Sequence, residues 1–354
     1  MSGCSSLNFK LKEGSTLQTK VFQPDQLAAA AAELAAGELV AFPTETVYGL
    51  GADATNEAAV KKVYQAKGRP SDNPLIVHVA DVATVKQYVA DFPVTAEKLT
   101  QAFWPGSLTI ILPLKPGAFA KTVTGGLNTA AFRNPRNQVT LDLIKQLGRP
   151  IVGPSANTSG KPSPTLAAHV LHDLTGKIAG VVDDGPTGVG LESTVIDLST
   201  PTPTILRPGA VTKEDIEAVI GSIDADHHKV KPDEIPKAPG MKYKHYAPNA
   251  QVYVTAAADF KAAASWARAQ GEPFGLMATD QVLAKFPVLA ADYRFSLGDS
   301  IVTASQRLFD GLRHYDQLPE VKFIFAEEFP AVGLGVAYMN RVAKSAGQQY
   351  FVQK

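Results

Sequence analysis

Short apolar runs alternate with loops rich in glycine, proline and hydroxyl side chains over the first two-thirds of the chain. Short runs bounded by such loops are typical of buried strands, whereas apolar positions three and four residues apart indicate helices. The pattern therefore predicts a mixed α/β sheet over this region. Predicted strands cover 39–42, 75–79, 108–114, 129–132, 150–153, 178–182, 194–198 and 204–206, and predicted helices cover 27–36, 57–65 and 165–174.

The last third of the chain alternates strand and helix patterns regularly. Such alternation favours parallel strands joined by helical crossovers, so a small doubly wound parallel sheet is predicted. Ala256, Ala257 and Ala258 follow the first strand where a dinucleotide fold carries a glycine fingerprint, which argues against a dinucleotide site. Predicted strands cover 252–254, 274–277, 293–295 and 323–325, and predicted helices cover 256–269, 280–285, 299–315 and 335–346.

The composition changes between these two regions. Thr212 opens a short predicted helix with acidic residues in its first turn, and prolines then punctuate a charged stretch that is typical of a linker. A length of 354 residues also suits two domains better than one. The predicted division is 1–20 as an N-terminal extension, 21–211 as the first domain, 212–249 as a linker and 250–354 as the second domain.

Charge and cysteine usage limit the classes of protein. Lysine plus arginine number 34 and aspartate plus glutamate number 34, and this neutral balance weighs against a general nucleic-acid or membrane-surface binder. Cys4 is the single cysteine, so no disulfide within the chain and no cysteine metal site is expected. No stretch resembles a signal peptide or a membrane span. The sequence therefore predicts a cytoplasmic protein that does not engage membranes.

Loops that follow the predicted strands carry most of the polar chemistry. Open α/β sheets bind ligands beyond their strand ends, and small hydroxyl and amide groups suit a close ligand approach. The loops 43–51 (PTETVYGLG) and 153–160 (GPSANTSG) have this composition. An ordinary strand-ending turn also uses these residue types, but the position at strand ends favours a ligand pocket.

The sequence contains no Walker phosphate loop. Gly160-Lys161 suggests one, but Ser155 stands where the motif requires glycine, and Pro162 stands where it requires serine or threonine. No serine–histidine–acid order, paired carboxylates or HExxH motif is evident either, so covalent hydrolase and metalloprotease chemistry has little support. No metal site built from protein side chains is predicted.

Three cations lie beside the polar loops. Lys67 and Arg69 flank a glycine in a proline-stiffened loop and can converge on one polyanion, although a basic pair after a helix also matches the helix dipole. Arg133 follows an apolar strand and needs an anionic partner, which either a core carboxylate or a ligand carboxylate would supply. These loops and cations predict a site for a triphosphate nucleotide beside a small polar substrate.

A set of ordered motifs resembles one known family. PTETVYGLG, KGRP with NPLIVHV, FWPGSLT, PSANTSGKPSPT, ESTVID and ILRPG occur in that order over about 20–210. They resemble the YrdC-like family, and PGMKYKHYAP followed by a small α/β domain resembles its long two-domain members. The resemblance implies a twisted mixed sheet with a cationic cavity, and identifies 21–211 as the catalytic domain.

The resemblance also implies a nucleotidyltransferase reaction. L-Threonine, bicarbonate or carbon dioxide and ATP would give threonylcarbamoyl-AMP and pyrophosphate. A downstream transferase complex would then modify an adenosine beside the anticodon of certain tRNAs. Mg²⁺ would be bound through the ATP phosphates rather than by a protein cage, and weak direct RNA binding stays open.

Residue-for-residue likeness assigns side chains to both substrates. Arg133 would pair with the threonine carboxylate, and Tyr246 would reach back from the linker to cover the nucleotide. Lys67 and Arg69 would also be the catalytic residues, because their charges offset the triphosphate. The threonine set is Thr46, His78, Arg133, Ser155 and Ser193, and the ATP set is Lys67, Arg69, Asn73, Thr129, Asn157, Thr165, Arg207 and Tyr246.

Some of these assignments have alternatives. Thr44 stands close enough to replace Thr46, and Thr194 to replace Ser193. Around Arg133 the family usually has aliphatic residues, so Phe132 and Asn134 are expected to reshape that wall. Two other functions compete: a carbamoyltransferase of hydrogenase maturation, which needs a longer chain and zinc-finger cysteines, and a non-enzymatic RNA-binding module, which needs a basic surface with aromatic residues.

Overall fold

The computed structural model describes residues 17–71, 73–225, 236–237 and 246–352, and places them in two sheets. The first sheet has eleven strands and combines parallel and antiparallel pairs, in the order β1-β8-β2-β3-β7-β4-β6-β5-β9-β10-β11. The predicted mixed sheet is therefore confirmed. Its strands are β1 (Lys20–Phe22), β2 (Val40–Phe42), β3 (Gly49–Asp53), β4 (Ile76–His78), β5 (Leu108–Pro113), β6 (Thr129–Arg133), β7 (Ile151–Val152), β8 (Gly180–Val182), β9 (Thr194–Asp197), β10 (Thr204–Arg207) and β11 (Asp224–Ala225).

Helices of the first domain cover this sheet. Their ends follow ordinary capping chemistry: the Asn56 side chain accepts from the Ala59 amide where the second helix begins, and Gly68 adopts a left-handed conformation where it ends. The turn at Gly68 leads the chain from the helix to Arg69. The helices are α1 (Leu27–Ala35), α2 (Glu57–Lys67), α3 (Val82–Tyr88), α4 (Val94–Phe103), α5 (Lys121–Thr124), α6 (Gln138–Leu147), α7 (Ala167–Leu174) and α8 (Lys213–Ile220).

Strand alternation divides the middle of the sheet into two faces. Val77, Phe132 and Ile110 are register partners that point into the main core. The next residue along β4 and β6 points to the other face, because successive side chains alternate. His78 and Arg133 are register partners on that second face. The fold thus brings these two side chains together although they are distant in sequence.

The second domain is a four-stranded parallel sheet in the order β12-β15-β13-β14. This confirms the predicted doubly wound arrangement. One face of this sheet packs on the helices Phe260–Ala269 and Asp280–Leu283. The other face packs on the helices Ile301–Asp316 and Leu334–Ser345, which also contact the first domain. The elements are β12 (Gln251–Thr255), β13 (Phe274–Ala278), β14 (Arg294–Ser296), β15 (Phe323–Glu327), α9 (Phe260–Ala269), α10 (Asp280–Leu283), α11 (Ile301–Asp316) and α12 (Leu334–Ser345).

Parts of the first domain differ from the sequence-based expectation. The loop predicted at 43–51 ends at Tyr48, because Gly49 begins β3. A Cβ on Gly49 would lie 2.5 Å from the Phe42 ring, so glycine serves the close pairing of β2 and β3 rather than a turn. Helices α3 and α4 were not predicted, and β1 begins inside the predicted extension 1–20.

The stretch predicted as a linker, 212–249, begins with ordered structure. Helix α8 packs against α4, and β11 pairs with β10, so both extend the first domain. Ile216 and Ile223 are buried in the main core of that domain. Most of the PGMKYKHYAP motif lies outside the described residues. No helix in the described ranges is long and apolar enough to cross a bilayer.

Candidate functional site

A cleft opens on the second face of the first sheet, where Ile76, Ala131, Ile111 and Val195 form a small apolar cluster. The empty space within it, which includes open solvent, is about 640 Å³. Strand ends, the loop after β2 and the loop after β7 surround it. Its polar lining consists of Thr46, Lys67, Arg69, His78, Arg133, Ser155, Asn157, Ser159, Glu192, Ser193, Arg207 and Tyr246.

Arg133 is the buried cation at the end of β6, with 4% of its side chain exposed. Its Nη2 lies 2.8 Å from Oε2 of Glu45. Its Nη1 donates to the Thr46 hydroxyl at 2.7 Å, and its Nε donates to the Gly106 carbonyl at 3.2 Å. The sequence left open whether a core carboxylate or a ligand carboxylate pairs with Arg133, and Glu45 is such a core carboxylate. Arg133 itself also lines the cleft.

Glu45 is held rigidly behind Arg133. Its carboxylate accepts from the Ser107 hydroxyl at 3.0 Å and from the Arg136 amide at 3.1 Å. Such contacts fix the guanidinium plane of Arg133, because a charged hydrogen bond is strong and directional. The sequence pattern indicated Glu45 as part of a polar loop but not as the partner of Arg133, since their proximity depends on sheet topology.

The two members of each hydroxyl pair that the sequence left open differ in their position. The Thr44 hydroxyl donates to the Val47 carbonyl at 2.6 Å and stabilises the loop, whereas Thr46 lines the cleft. The Thr194 hydroxyl donates to the Val211 carbonyl at 2.6 Å, whereas Ser193 lines the cleft. Thr46 and Ser193 are thus the members of each pair that line the cleft, and their contact with threonine stays a prediction.

His78 is buried beside Arg133, with its ring edge against Phe42. Burial and the neighbouring charge of Arg133 lower the pKa of His78 to about 3. The imidazole is therefore neutral near pH 7. Its Nδ1 has no hydrogen-bond partner among the residues that the structure describes.

Lys67 joins the end of α2 to the loop after β7. Its ammonium donates to the carbonyls of Ser155 and Asn157, the latter at 2.7 Å. Burial, followed by repulsion from Arg69, places the pKa of Lys67 well below its ordinary value. Lys67, Arg69, Ser155 and Asn157 all line the cleft, so the predicted cationic loop and the small-residue loop form one wall.

Arg207 supplies a further buried cation at the end of β10. Its Nε donates to the Ser193 carbonyl at 3.0 Å and its Nη2 donates to the Ser193 hydroxyl at 3.1 Å. Burial lowers the pKa of Arg207 to about 10, although the nearby Glu192 carboxylate raises it. Arg207 therefore remains charged at neutral pH beside the cleft.

Tyr246 enters the cleft from the stretch predicted as the linker. It adopts a left-handed backbone conformation with φ of 63°, and its ring packs on Phe309 of α11 at 5.1 Å between centroids. Burial, followed by the charge of Glu192, raises the pKa of Tyr246 to about 12. The expectation that Tyr246 reaches the pocket is consistent with this position, but the contact with nucleotide remains a prediction.

Three predicted ATP residues do not line the cleft in the described part of the chain. Asn73 is buried and its carbonyl accepts from the Tyr64 hydroxyl. Thr129 lies at the start of β6, four residues before Arg133 and so roughly 13 Å from it along an extended strand. The Thr165 amide donates to the His169 ring. Their assignment to ATP stays a prediction.

The expected reshaping of the Arg133 wall by its neighbours is wrong. Phe132 points into the main core, because strand alternation turns it away from Arg133. The Asn134 amide donates to the Val79 carbonyl at 2.8 Å. Neither residue lines the cleft.

Two arginines of the second domain contact the first domain, one of them at a residue that lines the cleft, and sequence reasoning missed both. Arg341 on α12 meets Glu192, and Arg313 on α11 meets Asp173 of α7. Both lie on helix faces that otherwise carry apolar side chains, such as Tyr338 and Val342 beside Arg341. An arginine within an apolar helix face is the signal that would have identified them.

Comparisons with known proteins cover both domains. A family model described as telomere recombination, of the Sua5, YciO and YrdC group, matches residues 32–209. A model described as the C-terminal domain of threonylcarbamoyl-AMP synthase matches 211–347. The sequence is 50% identical over 326 residues to the threonylcarbamoyl-AMP synthase of Bacillus subtilis strain 168, covering 91% of this chain and 93% of that protein.

Two further relatives extend this similarity. The threonylcarbamoyl-AMP synthase of Schizosaccharomyces pombe is 38% identical over 345 residues, covering 87% of this chain and 84% of that protein. The crystal structure of Pyrococcus abyssi Sua5 complexed with L-threonine superposes with a TM-score of 0.88 at 41% identity. It covers 94% of this chain and 99% of that one, so the similarity includes both domains.

Proposed function

The chain belongs to the Sua5/YrdC family, and on that premise we propose that it synthesises threonylcarbamoyl-AMP from L-threonine, bicarbonate or carbon dioxide, and ATP. Pyrophosphate is the second product, so the enzyme is a nucleotidyltransferase. The observation that carries this proposal is the cleft lined by Arg133 and His78 together with Lys67, Arg69 and Arg207. Arg133 and His78 suit an amino acid. The three cations Lys67, Arg69 and Arg207 suit a triphosphate.

Threonine binds at the Arg133 side of the cleft. The threonine carboxylate pairs with the guanidinium of Arg133, whose orientation is fixed from behind by Glu45. His78 is neutral and lines the cleft, so its imidazole accepts a hydrogen bond from the threonine amine. Thr46, Ser155 and Ser193 complete the polar surroundings of the amino acid.

ATP binds at the wall formed by Lys67, Arg69 and Arg207. Their charges offset the triphosphate, and the Asn157 amide and Tyr246 ring extend this surface toward the nucleoside. Asn73, Thr129 and Thr165 belong to the same proposal as residues that contact ATP after rearrangement of their side chains or loops. Lys67 and Arg69 are the catalytic residues, because they offset charge that develops on the phosphates.

The reaction needs alignment rather than a covalent enzyme intermediate. The threonine amine combines with carbon dioxide to give a carbamate and a proton, or with bicarbonate to give the same carbamate and water. A carbamate oxygen then attacks the α-phosphorus while pyrophosphate leaves. Holding both substrates in one cleft makes this attack effectively intramolecular.

Mg²⁺ enters with ATP in this proposal, bound through phosphate oxygens. Glu192 is the carboxylate among the described lining residues, and it is already engaged by Arg341. The described residues contain no group of three or more side chains suited to hold a metal ion. This donor set fits an ion carried by the nucleotide, where it offsets phosphate charge.

The product and setting are part of the same proposal. Threonylcarbamoyl-AMP passes to a downstream transferase complex that modifies tRNA, and the reaction takes place in the cytoplasm. Weak binding of RNA to the cationic cleft is compatible with this role. No membrane partner is needed.

Pyrophosphate release tests the proposed function. The protein is incubated with ATP, bicarbonate and labelled threonine, and pyrophosphate and labelled threonylcarbamoyl-AMP are measured together. We expect equal amounts of both, and none when threonine or bicarbonate is omitted. Release that is independent of threonine would contradict the proposal.

A further inference from the structure

The loop after β7 forms one wall of the cleft, and its two parts are held by different domains. The first part is hydrogen bonded to the chain around the start of β3. There the Leu50 amide donates to the Pro154 carbonyl at 2.7 Å, and the Ala156 amide donates to the Tyr48 carbonyl at 2.8 Å. Ser155 lies between these two bonds and lines the cleft. The first domain therefore fixes the position of Ser155.

The second part of the loop, 158–162, contacts the second domain through Arg313 of α11. The Nε and Nη2 atoms of Arg313 donate to the Pro162 carbonyl at 3.1 and 2.6 Å. Its Nη1 and Nη2 also donate to the Asp173 carboxylate at 3.1 and 3.0 Å. The same carboxylate accepts from the Thr158 amide at 3.0 Å. Arg313 thus holds one end of the segment directly and the other end through Asp173.

These contacts are charged and removed from water. The side chains of Arg313 and Asp173 are 7% and 4% exposed. Burial alone would raise the pKa of Asp173, but the hydrogen bonds and charge of Arg313 outweigh burial and lower it to about 2. Asp173 is therefore ionised at neutral pH. Its bonds to Arg313 and to the Thr158 amide are charge-assisted, which makes them stronger than neutral hydrogen bonds.

The other contacts between this segment and the residues after the predicted linker are weaker. The Lys161 ammonium lies 2.7 Å from Oδ1 of Asn249 and 3.3 Å from Oδ2 of Asp316, but its side chain is 35% exposed, so water screens its charge. The Ala247 amide donates to the Gly160 carbonyl at 3.0 Å, which is a neutral bond. Among the described contacts, those of Arg313 therefore hold the segment most strongly.

The side chain of Asn157 depends on this segment. Asn157 lines the cleft, and its Nδ2 donates to the carbonyls of Thr158 and Lys161 at 2.8 and 3.0 Å. Both carbonyls belong to the segment that Arg313 holds. The Asn157 backbone is held separately, because its carbonyl accepts from the Lys67 ammonium at 2.7 Å. A shift of the segment would therefore turn the Asn157 amide while its backbone stays in place.

We propose that Arg313 is a positioning residue, supplied by the second domain, that fixes the segment 158–162 and so orients the Asn157 side chain for ATP. The inference rests on the proposed binding of ATP by Asn157. It gives the second domain a part in nucleotide affinity. Threonine affinity should be insulated from the loss of Arg313, because the first domain holds Ser155.

A purely structural role for Arg313 makes a different prediction. Loss of one partner of a buried ion pair lowers stability wherever the pair lies. Leu276→Ala provides a control for this effect. Leu276 is fully buried in a cluster that contains only residues of the second domain, so its truncation destabilises that domain without removing a contact of the segment 158–162.

The test compares R313M, R313K, N157A, N157A/R313M and the control L276A in the full-length chain. Calorimetry measures ATP and threonine affinity, and circular dichroism measures folding. Amide hydrogen exchange of a peptide that covers 157–163 measures local opening of the segment.

We expect R313M to weaken ATP binding about tenfold with threonine affinity within about twofold, because a displaced contact residue loses its bonds to the ligand. R313K should lose about threefold, since one ammonium replaces a bidentate guanidinium. Adding R313M to N157A should cost less than about twofold more, because the side chain on which Arg313 acts is already absent. Exchange of the segment should rise about tenfold in R313M and stay within about threefold in L276A.

Each outcome decides the proposal. A folded R313M with unchanged ATP affinity overturns it, as does an equal loss of threonine affinity. A tenfold loss of ATP affinity in L276A, or a further tenfold loss when R313M is added to N157A, also overturns it. If R313M does not fold, unchanged ATP affinity or unchanged exchange in R313K overturns the proposal. A wild-type chain that binds ATP but makes no threonine-dependent pyrophosphate would contradict the proposed function instead.

Discussion

Two buried arginine–glutamate pairs border the cleft, and they face it in opposite directions. In the first pair Arg133 lines the cleft and Glu45 lies behind it. In the second pair Glu192 lines the cleft and Arg341 lies behind it. The first pair belongs to one domain, whereas the second joins two domains.

The orientation of each ion pair determines which kind of charged ligand group it can bind. A cation in front of a fixed carboxylate can recruit a ligand carboxylate, since guanidinium has donors for more than one partner. A carboxylate in front of a fixed cation recruits no anion, and here the pair ties the second domain to the cleft lining. Each pair is rigid, and breaking either from one side leaves an uncompensated buried charge.

Breaking the first pair should have the largest effect on substrate binding. Arg133→Ala removes the partner of the threonine carboxylate, and we expect about a 100-fold loss of threonine affinity, equivalent to about 3 kcal/mol. ATP affinity should change less than about threefold. Calorimetry with each ligand measures both, with Arg133→Lys as a control that keeps the charge. Equal loss of both affinities would show that Arg133 is wrongly assigned.

A change of pH tests the Arg133 side of the cleft, because His78 lies beside Arg133. The pKa of His78 is about 3 in the folded protein, against 6.5 for an unperturbed histidine. The unfolded chain therefore binds more protons below pH 6.5, and stability falls as pH falls from 6.5 toward 3, by up to about 1.4 kcal/mol per pH unit. Between pH 7 and 5 the wild type should lose about 2 kcal/mol more unfolding free energy than His78→Gln. Urea unfolding at both values measures this, and parallel losses would contradict it.

Tyr246→Ala tests the other side of the cleft. Tyr246 packs on Phe309 and lines the cleft, so its loss loosens the surface beside the nucleotide. We expect ATP affinity to fall about fivefold while threonine affinity is retained. The dissociation rate of a fluorescent ATP analogue should rise in parallel. Tyr246→Phe separates the ring from the hydroxyl, and unchanged ATP affinity in both variants would remove Tyr246 from the site.

Thr165→Ala should have the smallest effect. The Thr165 backbone amide keeps its contact with His169 after the substitution, and the side chain does not line the described cleft. We expect ATP affinity to fall about threefold, because Thr165 contacts ATP only after this segment rearranges. An unchanged ATP affinity, measured by calorimetry, would remove Thr165 from the ATP site.

Local patterns predicted more of the fold than of the site's connections. Apolar runs identified most strands, and Arg133 at a strand end already required an anionic partner. The identity of that partner depended on sheet order, which brings Glu45 to Arg133 from a distant part of the sequence. Arg341 and Glu192 are separated by 149 positions, and docking of two domains brings them together. Gly49 was misread because a glycine needed for close strand packing has the same sequence signal as a turn glycine.

The family motifs carried the site assignment further than residue chemistry alone. All five predicted threonine residues line the cleft, as do five of the eight predicted ATP residues. Asn73 and Thr165 lie in quoted family motifs, and Thr129 begins the strand that ends at Arg133. Their local hydrogen bonds and strand positions keep all three out of the cleft lining. Sequence motifs specify which segments meet, whereas side-chain direction depends on the tertiary structure.

The most direct test is a crystal structure of the chain with threonine and a non-hydrolysable ATP analogue bound together. From the orientation of the two arginine–glutamate pairs we expect the threonine carboxylate to lie within hydrogen-bond distance of the Arg133 guanidinium. The triphosphate should contact Lys67, Arg69 and Arg207, with Glu192 still paired to Arg341. A triphosphate bound to Arg133, or threonine bound outside this cleft, would contradict the account.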